Sequence, residues 1–391
     1  MKKISADRIH TISGEVLKEH VLVLDDNGKI LSIDLLEDHD ITSVQTLKGD
    51  LIPGFVNAHC HLELSHMKEL VHTGTTLLPF LQSVVKYRDF PEEVIQNAIQ
   101  KNDAYMYEQG IVAVGDISNK TDSFETKRNS PIRYYTFVEY FDLMQKSWTE
   151  KTWKQYQEVY ALAPESIKDR RSNVPHAPYS MTPELFSQLR DSNQEGSTIS
   201  IHNQETPEEN QFLMDGSGAF RQFFQDFGFS LDDFRPIGKR SIHYALQFMR
   251  PDLKTIFVHN TTCIPDDLAS AMAWNPRTYW ATCPNANLYI ENRLPNYQTF
   301  LDADVKMCIG TDSLTSNWQL SVFEEIRTIQ KYQSYVPFES LLQWATLNGA
   351  EALGFDDTLG SIEVGKSPGL VLLQLHEENK VNQESTCKRI V

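Results

Sequence analysis

The stretch Pro53-Gly54-Phe55-Val56-Asn57-Ala58-His59-Cys60-His61-Leu62-Glu63 sets the frame for reading this chain. A Pro-Gly break precedes an apolar run that ends in two histidines at i and i+2. Successive side chains on a strand point to opposite faces, so His59 and His61 share a face. Both imidazoles can then reach one metal from one strand end. A lone H-x-H is weak evidence, since solvated loop histidines meet at this spacing by chance. Its weight comes from the strand that carries it and from what repeats downstream.

The run 51–58 is the first of eight apolar stretches; the others are 111–114, 132–138, 171–175, 198–201, 255–258, 279–282 and 305–309. Polar stretches with helical spacing lie between or after them, at 92–108, 148–163, 183–190, 320–330 and 338–352. Strand then helix, repeated, indicates parallel α/β architecture. Eight such units predict a TIM-like (β/α)8 barrel rather than an open sheet.

The two ends read differently. Val21-Leu22-Val23-Leu24 and Ile30-Leu31-Ser32-Ile33 flank Asn27-Gly28, a strong hairpin signal. Residues 360–375 again read as turn and strand, with Leu370-Val371-Leu372-Leu373 as the strand. Residues 1–52 and 356–391 are therefore expected to form an accessory β-sandwich domain, with the barrel at 53–355. The stretch 216–240 is expected to be an insertion of helix and loop over one barrel end. Trp318 is expected in the core, the commoner fate of such a residue.

An apolar share of 40% in 391 residues is enough for a large core. The net charge is -17, from 36 basic and 53 acidic residues. Such a surface repels nucleic acid and anionic membranes, but a small-molecule substrate is compatible with it. Five cysteines, an odd number without a C-x-x-C pair, fit a reducing compartment. No signal peptide or membrane-spanning run is read, so a cytoplasmic location is expected.

Three more strand ends carry polar chemistry: His202-Asn203-Gln204-Glu205, Phe257-Val258-His259-Asn260 and Cys308-Ile309-Gly310-Thr311-Asp312. Each alone reads as readily as an ordinary strand-end residue bonded to nearby backbone, and Glu205 as a solvated first-turn acid before Pro207. Together they are more telling. His59, His61, His202, His259 and Asp312 all fall at C-terminal ends of parallel strands, which in a β/α barrel converge on the active face. Histidines with a carboxylate suit zinc or iron and are poor for magnesium or calcium. His10, His20, His39, His66, His72, His243 and His376 lack such placement and read as surface or packing residues.

With these motifs, the chain resembles the amidohydrolase superfamily. Within it, the likeness is to the branch holding adenosylhomocysteine, methylthioadenosine and aminodeoxyfutalosine deaminases and the triazine chlorohydrolases. The likeness runs through His176-Ala177-Pro178-Tyr179-Ser180, Ala345-Thr346-Leu347-Asn348-Gly349-Ala350 and Gly360-Ser361-Ile362-Glu363-Val364-Gly365-Lys366. Pro368-Gly369-Leu370-Val371 departs from the usual Ala-Asp-Leu-Val, outside the site. The resemblance implies one divalent metal held by His59, His61, His202 and Asp312. Zinc is the first choice, with iron or manganese compatible. It implies that His259 polarises the water on the metal, that Glu205 shuttles protons, and that His176 and Tyr179 contact substrate. The absence of a lysine at the fourth strand end argues against the two-metal members.

Attack by a metal-activated hydroxide on an aminopurine is the implied reaction, because Glu205 can protonate the ring. Glu63, two residues past His61, is similar to aminodeoxyfutalosine deaminases and is expected to bond a ribose hydroxyl; the alternative is a salt-bridged loop acid. An adenine-containing nucleoside, aminodeoxyfutalosine-like, is the expected substrate. The alternatives are another heterocycle, including triazine dechlorination, or a metal- or ligand-binding barrel without turnover. A nucleic-acid deaminase lacks its H-x-E and P-C-x-x-C signature here. A homodimer is expected by similarity alone.

Overall fold

The computed structural model describes residues 1–391. Both chain ends build one seven-stranded sheet. Its strands are β1 (Lys2–His10), β2 (Val16–Leu17), β3 (His20–Leu24), β4 (Ile30–Leu35), β5 (Gln45–Pro53), β14 (Leu370–Gln374) and β15 (Thr386–Arg389), in the order β15-β14-β5-β1-β3-β4 with β2 paired to β1. The Asn27-Gly28 turn joins antiparallel β3 and β4, and Gly28 takes a positive φ of 80°. β5 and β14 join the two ends, pairing Pro53 with Leu370 and Asp50 with Leu373. The strands form one continuous hydrogen-bonded sheet.

The middle of the chain holds eight parallel strands: β6 (Phe55–Cys60), β7 (Ile111–Ser118), β8 (Arg133–Tyr140), β9 (Arg170–Pro175), β10 (Thr198–Asn203), β11 (Lys254–His259), β12 (Thr278–Thr282) and β13 (Lys306–Ile309). They form two four-stranded sheets, β6-β7-β8-β9 and β10-β11-β12-β13. These strands are buried almost throughout, which explains why they read as continuous apolar runs rather than alternating ones. The sheets meet along two seams. At one, the N–H groups of Thr311 and Asp312 both donate to His59 O at 3.0 Å; at the other, His202 N–H donates to His176 O at 2.9 Å.

The run 51–58 is divided between β5 and β6. Gly54 sits at the break, where an added Cβ would lie 2.3 Å from Val112 Cγ1 and 2.9 Å from Pro368 O. Only a residue without a side chain lets the chain pass from one sheet to the other there. The helix expected at 338–352 is also two helices, Phe338–Ala345 and Leu347–Leu353. At the break, Thr346 Oγ1 donates back to Leu342 O, a bond that competes with helix continuation, while Asn348 Nδ2 donates to Met307 O on β13.

Within the stretch 216–240, helix Ala219–Asp226 buries Phe220, Phe223 and Phe224. Trp318 is 45% exposed rather than in the core. Its neighbour Asn317 points inward instead, donating to Thr311 O and Glu325 Oε1. No helix is long and apolar enough to cross a membrane.

Candidate active site

His59 lies near the end of β6 and His61 directly follows it, His202 lies near the end of β10, His259 ends β11, and Asp312 follows β13. The parallel strand directions bring all five to one end of the two sheets. The Nε2 atom of His61 lies 3.2 Å from that of His59 and 3.3 Å from that of His202. Asp312 Oδ1 lies 3.4 Å from His61 Nε2 and 3.7 Å from His59 Nε2.

Four ligands tetrahedrally placed at about 2.0–2.1 Å from zinc stand about 3.3 Å apart. The three separations from His61 fit that spacing, and that between His59 and Asp312 is somewhat wider. The tautomers fit as well. His202 Nδ1 is 2.8 Å from His176 O and donates to it, leaving the Nε2 lone pair facing the cluster. Burial holds His61 down to about 3 and pushes His202 well below the ordinary histidine range, so both are neutral, as ligands must be. Burial would raise Asp312, but the facing His59, His61 and His259 hold it well below the usual carboxylate range. The donor set therefore fits a divalent cation. Glu139, His176 and His202 make a second close group, but it would need His202 Nδ1, which His176 O already engages.

The backbone is strained at the site. Gln204, His259 and Asp312 have positive φ values of 50°, 74° and 57°, a region that costs a non-glycine residue free energy and recurs at functional sites. The cost is met by local bonds. Ser316 Oγ donates to Asp312 Oδ2 at 2.7 Å, and Asn57 both accepts from Thr311 N and donates to Thr311 Oγ1. At Gly310 an added Cβ would lie 2.8 Å from His59 Cβ and 2.9 Å from His59 O, so the close approach of β13 to β6 requires glycine.

His259 Nδ1 pairs with Asn287 Oδ1 at 2.9 Å, which turns Nε2 toward Glu205 Oε2 at 3.7 Å. Glu205 is buried and without a close cation, and burial pushes its carboxyl well above the usual range. Glu205, His259, Asp312, His61 and His202 all line one cavity. His176 and Tyr179 line it too; burial lowers His176 to about 4.

Glu63 is placed differently. Its carboxylate is buried behind the cavity wall, where Oε2 accepts from the backbone N–H groups of Asn119 and Lys120 and Oε1 lies 3.8 Å from Arg88. Sequence reasoning missed Arg88, Asn119 and Glu139, which line the cavity, and the apolar wall from helix Leu77–Tyr87. Glu139 carried a usable signal, being a carboxylate near a strand's C-terminal end like Asp312. Of the histidines read as bland, His10 is buried and bonded to Asp50 in the terminal sheet.

Comparison with known proteins gives a consistent result. The sequence matches the amidohydrolase family over residues 51–391. It is 27% identical to the aminodeoxyfutalosine deaminase of a Nitratiruptor species, over 87% of this chain and 81% of the relative. It is 26% identical to the 5-methylthioadenosine/S-adenosylhomocysteine deaminase of Bacillus cytotoxicus, over 92% of this chain and 80% of that one. In structure it is similar to Helicobacter pylori aminofutalosine deaminase in complex with methylthio-coformycin, with a TM-score of 0.80, 24% identity, and 96% and 93% of the two chains covered.

Proposed function

The chain belongs to the amidohydrolase family and is a hydrolase acting on carbon–nitrogen bonds, and on that footing we propose that it deaminates an adenine-containing nucleoside, aminodeoxyfutalosine or a close analogue. The observation that carries this reading is Glu205 Oε2 facing His259 Nε2 at 3.7 Å, over the same cavity as the histidine–aspartate cluster. A plain amidase has less use for an acid that can protonate a ring. The names of the similar deaminases support the substrate class.

We assign His59, His61, His202 and Asp312 as ligands of one divalent metal, zinc first. When bound, such a metal supplies Lewis acidity and lowers the pKa of a water to about 7. His259, fixed by Asn287, presents Nε2 to accept a proton from the attacking water. Glu205, held protonated by burial, gives its proton to a ring nitrogen. The ring carbon becomes more electrophilic; Glu205 is recharged with the proton that His259 took from the water and passes it to the departing ammonia as the C–N bond breaks, and the hydroxyl proton of the adduct then restores Glu205. A positioned acid–base group of this kind is worth roughly a hundred- to ten-thousand-fold in rate. His176 and Tyr179 form part of the substrate-facing wall.

We read the two parallel sheets as one (β/α)8 barrel spanning 53–355, supported by the bonds across both seams. Residues 1–52 and 356–391 form its accessory domain. The proposed location is the cytoplasm.

The decisive test is ammonia release by metal-loaded protein from aminodeoxyfutalosine, methylthioadenosine, adenosylhomocysteine and adenosine, with adenine as a control and chloride release from a chlorotriazine measured alongside. Chelator-sensitive release from a nucleoside is expected. Turnover of the triazine alone, or of none, overturns the reading.

A further inference from the structure

Glu139 lies near the end of β8 and is only 2% exposed, yet it lines the cavity. Asn119 Nδ2 donates to its Oε2 at 3.1 Å. Its Oε1 has no hydrogen-bond partner. The nearest polar group, His202 Nδ1 at 3.3 Å, gives its proton to His176 O instead. A buried carboxyl oxygen left without a donor costs free energy, so a site that keeps one is built for a donor that arrives with the ligand.

Asn119 is held in turn by Glu63, which accepts the N–H groups of Asn119 and Lys120. Arg88, the one Lys or Arg side chain on the cavity wall, faces Glu63 from 3.8 Å. The wall otherwise carries the acids Glu139, Glu205 and Asp312, and much of the rest of it is apolar. With Arg88 facing Glu63, the wall offers a phosphate no free Lys or Arg side chain, and its acceptors favour a neutral hydroxyl donor.

We propose that Glu139, positioned through Asn119 by Glu63, accepts a hydrogen bond from a sugar hydroxyl of the substrate, so that the site takes nucleosides and rejects both nucleotides and 2′- or 3′-deoxy analogues. The inference rests on the nucleoside reading above and assigns the sugar contact to Glu139, not Glu63.

The test compares kcat/KM of the metal-loaded full chain on adenosine, 2′-deoxyadenosine, 3′-deoxyadenosine and adenosine monophosphate. Leaving this buried acceptor unmet should favour adenosine over one deoxynucleoside by on the order of 10- to 100-fold. In Glu139→Gln that ratio should fall to about threefold or less, with metal per chain unchanged. Asn119→Ala, which leaves the carboxyl in place but loose, should raise KM more than it lowers kcat. An unchanged ratio in Glu139→Gln, or metal lost in step with activity, overturns the proposal and makes Glu139 a support for His202. If wild type deaminates none of the four, and neither aminodeoxyfutalosine, methylthioadenosine nor adenosylhomocysteine, the deaminase reading is what fails. Calorimetric binding of adenosine against its deoxy analogues then decides for or against Glu139 on its own, equal or absent binding of both being the negative result.

Discussion

The carboxylate of Glu209 accepts the backbone N–H of Glu205 at 3.1 Å and that of Gln204 at 2.9 Å. Glu209 is buried in the first turn of helix Pro207–Asp215 and reaches back over it. Thr261 Oγ1 donates to the carbonyls of the same two residues, so the strained Gln204 and the following Glu205 are bonded from both sides. Glu209→Ala would leave two buried N–H groups unpaired. We expect a loss of about 2 kcal/mol in stability and, with Glu205 loosened, about a tenfold fall in kcat, since small misplacements of a positioned group are costly. Glu209→Gln, which keeps one acceptor, should fall between. Thermal unfolding and steady-state kinetics on the same preparations check both effects.

Glu205→Gln keeps the size and polarity of the side chain but removes its transferable proton. Metal content should be unchanged while kcat falls by roughly a hundred- to ten-thousand-fold. Metal analysis alongside turnover is the check, and full activity in this variant would sink the proton-shuttle role.

Removal of metal should cost both activity and stability. His61 Nε2 lies within 3.2 to 3.4 Å of ligand atoms of His59, His202 and Asp312, with the carboxylate of Asp312 buried. A ligand at a thousand times its Kd stabilises by about 4 kcal/mol, so chelation should lower the melting temperature and zinc should restore it. A protein verified free of metal that still turns over substrate would refute the ligand assignment.

Gly310→Ala places a methyl against His59 Cβ and His59 O, neither of which can yield without moving β6. Overpacking of this kind costs about 1–3 kcal/mol. Because the displaced residue is itself one of the proposed ligands, metal affinity should fall along with the melting temperature. A melting shift with unchanged affinity would mean that β6 absorbs the strain elsewhere.

In the terminal sheet, Asp50 accepts from His10 Nε2 at 2.9 Å and pairs with Arg8. Burial pushes its carboxyl up, but the bonds from His10 and Arg8 outweigh this and hold it below its ordinary value. A depressed carboxyl contributes stability that is present above its unfolded pKa of about 3.9 and is lost as pH falls through the folded value. The melting-temperature penalty of Asp50→Asn should therefore be largest near neutral pH and shrink as pH drops below about 4. Thermal unfolding of both proteins from acid to neutral pH measures it.

The eight strands, and the five polar residues that gather at one end of them, were legible in the chain because their signals are local. A strand buried on both faces must be apolar along its length, and in parallel α/β folds the strand ends carry the chemistry. His59, His61, His202, His259 and Asp312 announced themselves by ending such runs. The departures, at Gly54 and Thr346, lie where a distant segment intervenes: Val112 and Pro368 crowd the first, and the helix after the second is tied to β13.

Tertiary structure alone decided which polar groups from separate segments meet. Glu63 looked like a substrate contact because it follows His61 so closely, yet the chain turns there and buries its carboxylate against the backbone of Asn119 and Lys120. Glu139, far away in sequence, takes the place at the cavity wall. Strand identity follows from local periodicity and burial. The direction in which a loop carboxylate points depends on which backbone donors the neighbouring strands bring within reach, and no single stretch of sequence encodes that.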